Sequence, residues 1–527
     1  VFCNSIIGYK RFKKANLPIM LKNLSLTQRA LLTLISTLVV QAAEFLTGFF
    51  ITPIIIRGLG PNLYGAWGML QQMLGYFSLT ELRATTSLRF LLSLRQYREN
   101  DTEEKQRLIG STLILLGLSL PITIAFGIGL VWLLPNIIHA GSENMAGIRV
   151  ALIVLLFNSV LDRVLSIPMH ILKAQNLDYA GMGVNTATVL IGSLLSGWAV
   201  WMGWGLPGLA IATMANIMLI SVGRFWVARK AIPWIAAKKP TSVEFAFFAK
   251  TGGWLSFSLV ANLLLYSTDT LLVGAILKPA IAAAYTTSGV VLRMIGEPIY
   301  QIVGAGTAGL VGLCGQKDWG RVSSIRKEMY FLMIFSMTVL GTGIISLNKS
   351  FLTLWLGKDY YGGTFLTLFL VISVTLTFLT RIDLTIVDAM LFMREKAWAL
   401  FIAGFIAIVS GTILLKMVGI GGMAIGLAAG NLLLLITAWV LIQQRIPSIS
   451  LGLIKDLARP LLVVSVTFAL AYWIEPRIQA ENWLGFFTYA VGIGTLALGI
   501  GWFMVLSPDI RAILIDRVRQ SLSLFKQ

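Results

Sequence analysis

Residues 31–56 read LLTLISTLVVQAAEFLTGFFITPIII, and the one charge among them is Glu44. Coiled as an α-helix rising 1.5 Å per residue, this stretch is about 39 Å long, more than the ~30 Å of a bilayer's hydrocarbon core. Similar apolar blocks recur at Leu108–Leu134, Trp398–Leu415 and Leu484–Leu506. Of 527 residues 57% are hydrophobic and 12% charged, against ~45–50% and ~25% in an ordinary globular chain. The alternation of period two that marks a membrane β-barrel is absent. The chain reads as all-α and polytopic, a protein whose solvent is lipid.

Apolar blocks and their breaks give about fourteen spans. Six fall at 31–56, 63–82, 108–134, 150–172, 181–202 and 207–223. Six more fall at 251–277, 282–305, 329–347, 363–392, 398–415 and 420–442, and a last pair at 460–474 and 484–506. Orientation follows the Lys and Arg, which accumulate in cytoplasmic connections. With the N-terminus inside, inner segments hold 32 of the 42 cations and outer loops seven: Arg57, Arg149, Lys278, Lys349, Lys358, Lys416 and Arg477. Both termini are therefore expected on the cytoplasmic side. The net charge of +19 belongs to this asymmetry and not to nucleic-acid binding. Cys3 and Cys314 exclude a disulfide framework, and with only His139 and His170 there is little material for a metal site or for histidine catalysis. No cleavable signal peptide is expected, since basic Lys10–Lys14 is followed by Pro18 and polar residues. No connection is long enough for a soluble domain.

The first twelve spans read as a repeat. Span six opens Gly205-Leu206-Pro207-Gly208-Leu209-Ala210-Ile211 and span twelve opens Gly419-Ile420-Gly421-Gly422-Met423-Ala424-Ile425, 214 residues later. Spans three and nine start 221 residues apart, and short outer hairpins end at Tyr64 and Tyr285. Six spans per unit put both units in the membrane the same way round, a parallel pseudo-twofold repeat about the membrane normal. The expected organisation is a cytoplasmic segment 1–30, a first six-helix lobe 31–226, an inner linker 227–250 and a second lobe 251–445. Two additional spans occupy 446–506 and a cytoplasmic tail 507–527. Two such lobes face each other across a central cavity.

Four local patterns carry a family likeness. They are Pro53-x3-Arg57-Gly58-Leu59-Gly60-x3-Tyr64-Gly65; Asp269-x3-Val273-Gly274 followed by Tyr285; Leu354-Trp355-Leu356-Gly357-Lys358-Asp359-Tyr360; and the run Gly419–Ala424. In this order they resemble the polysaccharide (O-antigen, lipid-linked oligosaccharide) flippases of the multidrug/oligosaccharidyl-lipid/polysaccharide exporter superfamily, over residues 30–445. One departure stands out. After span two the family has an acidic residue, an apolar residue and Gly, whereas this chain has Glu81-Leu82-Arg83, which puts the tight turn there in question.

The resemblance implies a multi-pass bacterial inner-membrane transporter, not an enzyme. It would turn an undecaprenyl-diphosphate-linked oligosaccharide from the inner to the outer leaflet for cell-surface polysaccharide, by alternating access. Its partners would be the lipid-linked substrate, membrane lipids, a polysaccharide polymerase and glycosyltransferases, with no nucleic acid. No cofactor is implied beyond a coupling H⁺ or Na⁺. A diphosphate suits arginine, whose planar and permanent charge grips phosphate in a bidentate fork. Arg381, Arg163 and Arg293 are the arginines at depth, with Arg381 ranked first, and Arg57 and Arg83 lie near opposite faces. Arg293 and Glu297 are spaced to neutralise each other on one helix face. Carboxylates within the spans are the candidates for ion coupling: Asp269 and Glu44, without a cation one turn away, then Asp388, Asp383, Glu297 and Asp162. His170 beside Pro168 reads as a satisfied polar contact at a kink. Val303-Gly304-Ala305-Gly306 and Gly341-Thr342-Gly343 read as close helix packing. The rival functions are a cation-coupled multidrug or metabolite antiporter of the same superfamily, a peptidoglycan-precursor flippase, and, from another class, a membrane-embedded polymerase or ligase. The last would need catalytic groups on a sizeable outer loop, which the short loops do not provide.

Overall fold

In the computed structural model the described residues are 26–94, 102–139, 141–304, 307–390, 392–445 and 451–524. The expected cytoplasmic segment falls largely outside them, as do Cys3, Ala305 and Gly306. Helices account for nearly all the described chain, because in lipid every backbone N–H and C=O must be satisfied within its own segment or a closed sheet. In order they are α1 (Leu26–Phe77), α2 (Ala84–Leu94), α3 (Thr102–Ile137), α4 (Ser142–Leu165), α5 (Ile167–Ala174), α6 (Met182–Trp201) and α7 (Gly205–Ala231). Then come α8 (Ser242–Tyr266), α9 (Asp269–Ile276), α10 (Pro279–Ser288), α11 (Val290–Gly304), α12 (Thr307–Gln316) and α13 (Trp319–Trp355). The last are α14 (Thr364–Ala389), α15 (Met393–Val418), α16 (Ile420–Arg445), α17 (Leu451–Ile474), α18 (Trp483–Ile500) and α19 (Pro508–Leu524).

Among the described residues ten helices are long and apolar enough to cross a membrane, or up to twelve if each of two bent pairs is one span. The count of fourteen is thus not reached by helix length and apolarity alone, and the difference has two physical sources. The first is α1. As one rod its 52 residues would measure about 78 Å, far more than a bilayer. At Gly60 the backbone turns to φ 73°, ψ 170°, a conformation open to glycine and costly for other residues, and the helix direction breaks there. The second is span eight, divided at Gly289 into α10 and α11, each too short to cross alone.

The two halves of α1 both run away from the Gly60 end. At Gly65 an added Cβ would sit 1.7 Å from the Pro279 carbonyl oxygen, so α1 touches the start of α10 backbone to backbone. Farther from the break, Gly75 meets Leu263 of α8 on one arm and Gly48 meets Met294 of α11 on the other. Span two therefore lies along span seven and span one along span eight, a crossed seam between the two repeats. The motif at Leu354–Tyr360 ties into the same end. The Trp355 indole donates to the Phe49 carbonyl at 2.8 Å and stacks on its ring, and Thr287 donates to the Tyr360 carbonyl at 2.6 Å.

The repeated glycines occupy matching places: Gly205 (φ 57°) opens α7, and Gly419 (φ 78°) ends α15 just before α16. Helix α6 packs on α1 and α7, and α4 on α7; in the second set α16 packs on α14 and α15, and α15 on α8. The additional helices α17 and α18 pack on α13. Gly341 is the contact point as expected, its Cβ position 2.6 Å from the Phe468 ring. Gly343 is not, since nothing lies within 4 Å of its Cβ position. Residues 232–241 dock on the start of α3, where Gln106 Nε2 donates to the Trp234 carbonyl at 3.0 Å. Ion pairs Lys238–Glu103 (2.6 Å) and Arg107–Glu244 (3.1 Å) reinforce this docking.

Candidate functional site

Span seven is discontinuous. Helices α8 and α9 meet at Ser267–Thr268 with a 50° bend, and Asp269 is the first residue after the break. The Tyr285 hydroxyl, itself buried, donates to Asp269 Oδ2 at 2.8 Å. The two motif residues recognised in sequence are thus joined directly. Nearby on α11, Arg293 is exposed and donates to the Thr286 carbonyl at 2.6 Å. It lies within electrostatic range of Asp269, Tyr285 and Tyr64, and no carboxylate among the described residues comes within 4 Å of it.

The expected Arg293–Glu297 neutralisation does not occur. Glu297 is taken by Arg381 of α14, whose Nη1 reaches both carboxylate oxygens at 2.8 and 3.0 Å. Gly296 is the reason: its Cβ position lies 3.1 Å from the Phe378 ring, so α11 and α14 approach there and bring the two side chains together. The pair is 35% and 41% exposed, and the guanidinium sits 5.2 Å from the Tyr300 ring and 5.5 Å from that of Phe378. The top-ranked arginine is accessible but already holds an anion of its own.

Arg163 is placed differently. It is 7% exposed and donates to Thr123 Oγ1 (2.8 Å), Thr80 Oγ1 (2.8 Å) and the Phe77 carbonyl (3.1 Å), over the Phe77 ring. It joins the end of span two to spans three and four, and has no free face for a ligand. Arg57 is exposed next to the Gly60 break. Arg83 does take the glycine's conformation, φ 54°, after Leu82 at φ 53°. The tight turn is made, but with two side chains in the left-handed region.

Of the remaining carboxylates two are bound to cations. Asp383 receives Arg326 Nε and Nη2 at 2.7 and 2.6 Å, and both side chains are 0% exposed. Asp388 receives Lys396 Nζ at 2.7 and 2.8 Å across the turn between α14 and α15. Glu44 is exposed on α1 and Asp162 half-buried on α4, within electrostatic range of Arg224. Among the described residues, Asp269, Glu44 and Asp162 are the candidates without a cation within 4 Å. Arg326 escaped the sequence reading because α13 begins at Trp319, well before its apolar block. The available signal was Asp383 itself, with no cation one turn away and so in need of one from another helix.

Between α1, α11, α13 and α18 lies an apolar cleft of about 640 Å³, lined by Phe49, Met294, Ile295, Gly343, Trp483 and Gly494 among others. Met294 and Ile295 directly follow Arg293, so a cationic group and the apolar cleft are set on one turn of helix.

The sequence profile described as "Polysaccharide biosynthesis protein" matches residues 31–308. No curated protein sequence matches the chain. Solved structures share the fold. The lipid II flippase MurJ in an inward closed conformation superposes with TM-score 0.60 at 14% identity, over 89% of this chain and 97% of that one. An inward-facing multidrug resistance MATE family transporter of the MOP superfamily gives 0.57 at 15%, over 78% and 95%. A MOP superfamily transporter from Pyrococcus furiosus, whose binding pocket is described as of reverse polarity, gives 0.56 at 16%, over 80% and 96%. At these identities the likeness is one of fold.

Proposed function

This chain belongs to the polysaccharide biosynthesis protein family, and on that premise we propose that it is a flippase for an oligosaccharide linked to a long-chain lipid diphosphate. It acts in a bacterial inner membrane, turning its substrate from the inner to the outer leaflet by alternating access between lobes 31–226 and 251–445. The observation that carries this reading is the adjacency on α11. Arg293 is exposed and without a carboxylate in contact, and the next two residues line the apolar cleft. A lipid diphosphate has the same layout, an anionic group joined to an apolar chain. Arg381 with Glu297 supplies a second charge that can be exchanged: the guanidinium moves to the diphosphate when Glu297 is drawn off. Asp269, at the break in span seven, is the proposed site of the coupling H⁺ or Na⁺, because a carboxylate at a hinge binds the two conformations differently. The clusters at Asp383 and Asp388, read as coupling sites in sequence, serve instead to hold α13, α14 and α15 together.

The test is transport. Proteoliposomes loaded with a lipid-linked oligosaccharide are assayed for sugar reaching the far leaflet with a lectin, for the native chain and for Arg293→Gln. Native transport with loss in the variant supports the reading; absence of any native transport, with altered drug resistance in a deletion strain and unchanged surface polysaccharide, favours the antiporter.

A further inference from the structure

Away from Arg293 and the apolar cleft the chain assembles a second cationic group, at the end of the first six spans expected to face the cytoplasm. Arg83 comes from the turn after span two, Arg89 from α2, Lys173 from α5 and Arg224 from α7. Helix α5, which carries His170 and Lys173, packs on both α2 and α7, and Arg83, Arg89, Lys173 and Arg224 all lie within electrostatic range of the His170 ring. Lys173 is within range of Arg89 and Arg224 as well. Carboxylates are near but not in contact: Asp178 and Asp162 act on Arg224, and Glu81 on Arg83. Among the described residues none of the four cations makes an ion pair within 4 Å. Glu81 is engaged with the Thr85 amide and hydroxyl. Arg224 donates to a neutral acceptor, Asn185 Oδ1, at 2.9 Å.

Gathering like charges without direct counter-charges is unfavourable, the more so where water is scarce. A fold that does it at four elements converging on one ring presents a receptor for an anion. The polar atoms around it are also open. His170 Nδ1 and Tyr179 OH are buried without a hydrogen-bond partner, so His170 is not the satisfied contact its place beside Pro168 suggested. Asn158 Oδ1 and Asn216 Oδ1 are open in the same way. They lie one turn from Asp162 on α4 and two turns from Arg224 on α7, on the same helix faces, and lead from the cluster toward mid-membrane.

We propose that Arg83, Arg89, Lys173 and Arg224, gathered about His170, form a loading site that captures a diphosphate group at the inner face before it reaches Arg293. After the bent join with α4, α5 packs on α2 and α7, and Asn185 accepts a hydrogen bond from Arg224. The natural ligand, a lipid diphosphate, rests on the proposed function; the anion site itself does not.

The chain has two histidines, so His139→Gln protein labelled with ¹⁵N,¹³C-histidine reports on His170 alone. The full-length protein is placed in phosphatidylcholine nanodiscs and titrated with inorganic pyrophosphate. The His170 imidazole signals shift saturably, and the affinity falls with ionic strength. Lys173→Gln with Arg224→Gln weakens binding by about tenfold or more. Arg89→Gln, at an exposed residue, also weakens it, whereas Arg477→Gln, at an exposed residue of an outer loop, leaves it unchanged. No saturable shift at millimolar pyrophosphate, or a shift equal in the charge-deleted protein, overturns the site. So does a shift produced by phosphatidylglycerol discs that pyrophosphate cannot reverse, which would assign the cluster to bulk lipid. If pyrophosphate binds as described but no lipid-linked sugar is moved, the proposed function falls and the site stands. If transport is intact and His170 does not respond, the site falls alone.

Discussion

Asp383→Asn is expected to destabilise the second half of the molecule severely while its compensated double variant does not. The side chains of Arg326 and Asp383 are both 0% exposed and are joined by two bonds of 2.6 and 2.7 Å. For unit charges about 4 Å apart at an effective dielectric of ~20, the attraction is about 4 kcal/mol. Removing one partner also strands the other charge in a dry site, and measured costs of that kind are about 3–5 kcal/mol. Replacing both members with apolar residues of similar volume is often neutral or better. Arg326→Met with Asp383→Leu should therefore recover most of what Asp383→Asn loses. The readout is the thermal midpoint in detergent micelles by intrinsic tryptophan fluorescence. Asp383→Asn should fall on the order of 6–10 °C, and the exposed control Asp509→Asn should not move. Transport by the double variant at permissive temperature then separates structure from ion coupling. A single variant as stable as the control would refute the reasoning. A double variant no better than the single, or one that is stable yet uncoupled, would restore Asp383 as a coupling residue.

The left-handed turn at Leu82–Arg83 yields a second expectation. Arg83→Gly should raise the same thermal midpoint, by the equivalent of about 1–2 kcal/mol, and Arg83→Val should lower it. In the apolar cleft, the Cβ position of Gly494 faces open space. Gly494→Phe should leave stability unchanged but slow transport of long-chain substrates more than short-chain ones in the lectin assay. At the docked segment 232–241, the Lys238 ammonium holds the Glu103 carboxyl below its usual value, and the Thr241 amide does the same for Glu244. A depressed carboxyl stabilises the fold above its unfolded pKa and loses that contribution as pH falls through the folded value. Protection factors of the 232–241 amides, that is exchange rates corrected for their intrinsic pH dependence, should thus be high at neutral pH and fall as the pH drops below about 4.5. Protection factors that stay constant through acid pH, or that fall on raising the pH, would contradict the assignment.

What was legible in the sequence was whatever the bilayer itself imposes. A backbone in lipid has to be helical, so apolar blocks located the spans and the breaks between them located the turns. The motif also singled out both Asp269 and Tyr285, but not the hydrogen bond that joins them. What was not legible depended on approaches between helices. The spacing of Arg293 and Glu297 argued for a pair, but the contact of Gly296 with Phe378 gave Glu297 to Arg381 instead. Arg326 looked like a connection residue because hydropathy does not reveal that α13 continues three turns beyond its apolar block. The basic cluster at His170 draws on four separate segments, and no single window contains more than part of it.

The two arginines of spans four and ten show how a repeat can divide its labour. Arg163 and Arg381 are 218 residues apart, between the offsets of 214 and 221 that relate the repeated spans. Each reaches the second span of its own set: Arg163 to Phe77 and Thr80, Arg381 to Glu297, and each lies near an aromatic ring. The geometry is shared and the chemistry is not. In the first set the acceptors are neutral and the guanidinium is buried, so separating them leaves an unsatisfied charge, and the contact is suited to staying closed. In the second the acceptor is a carboxylate and both groups are over a third exposed on average, so water, a proton or a competing anion can replace either partner. A clamp that is permanent in one lobe and exchangeable in the other gives two similar lobes unequal freedom to open. An asymmetry of that kind is what a carrier needs if one half is to stay rigid while the other releases its load.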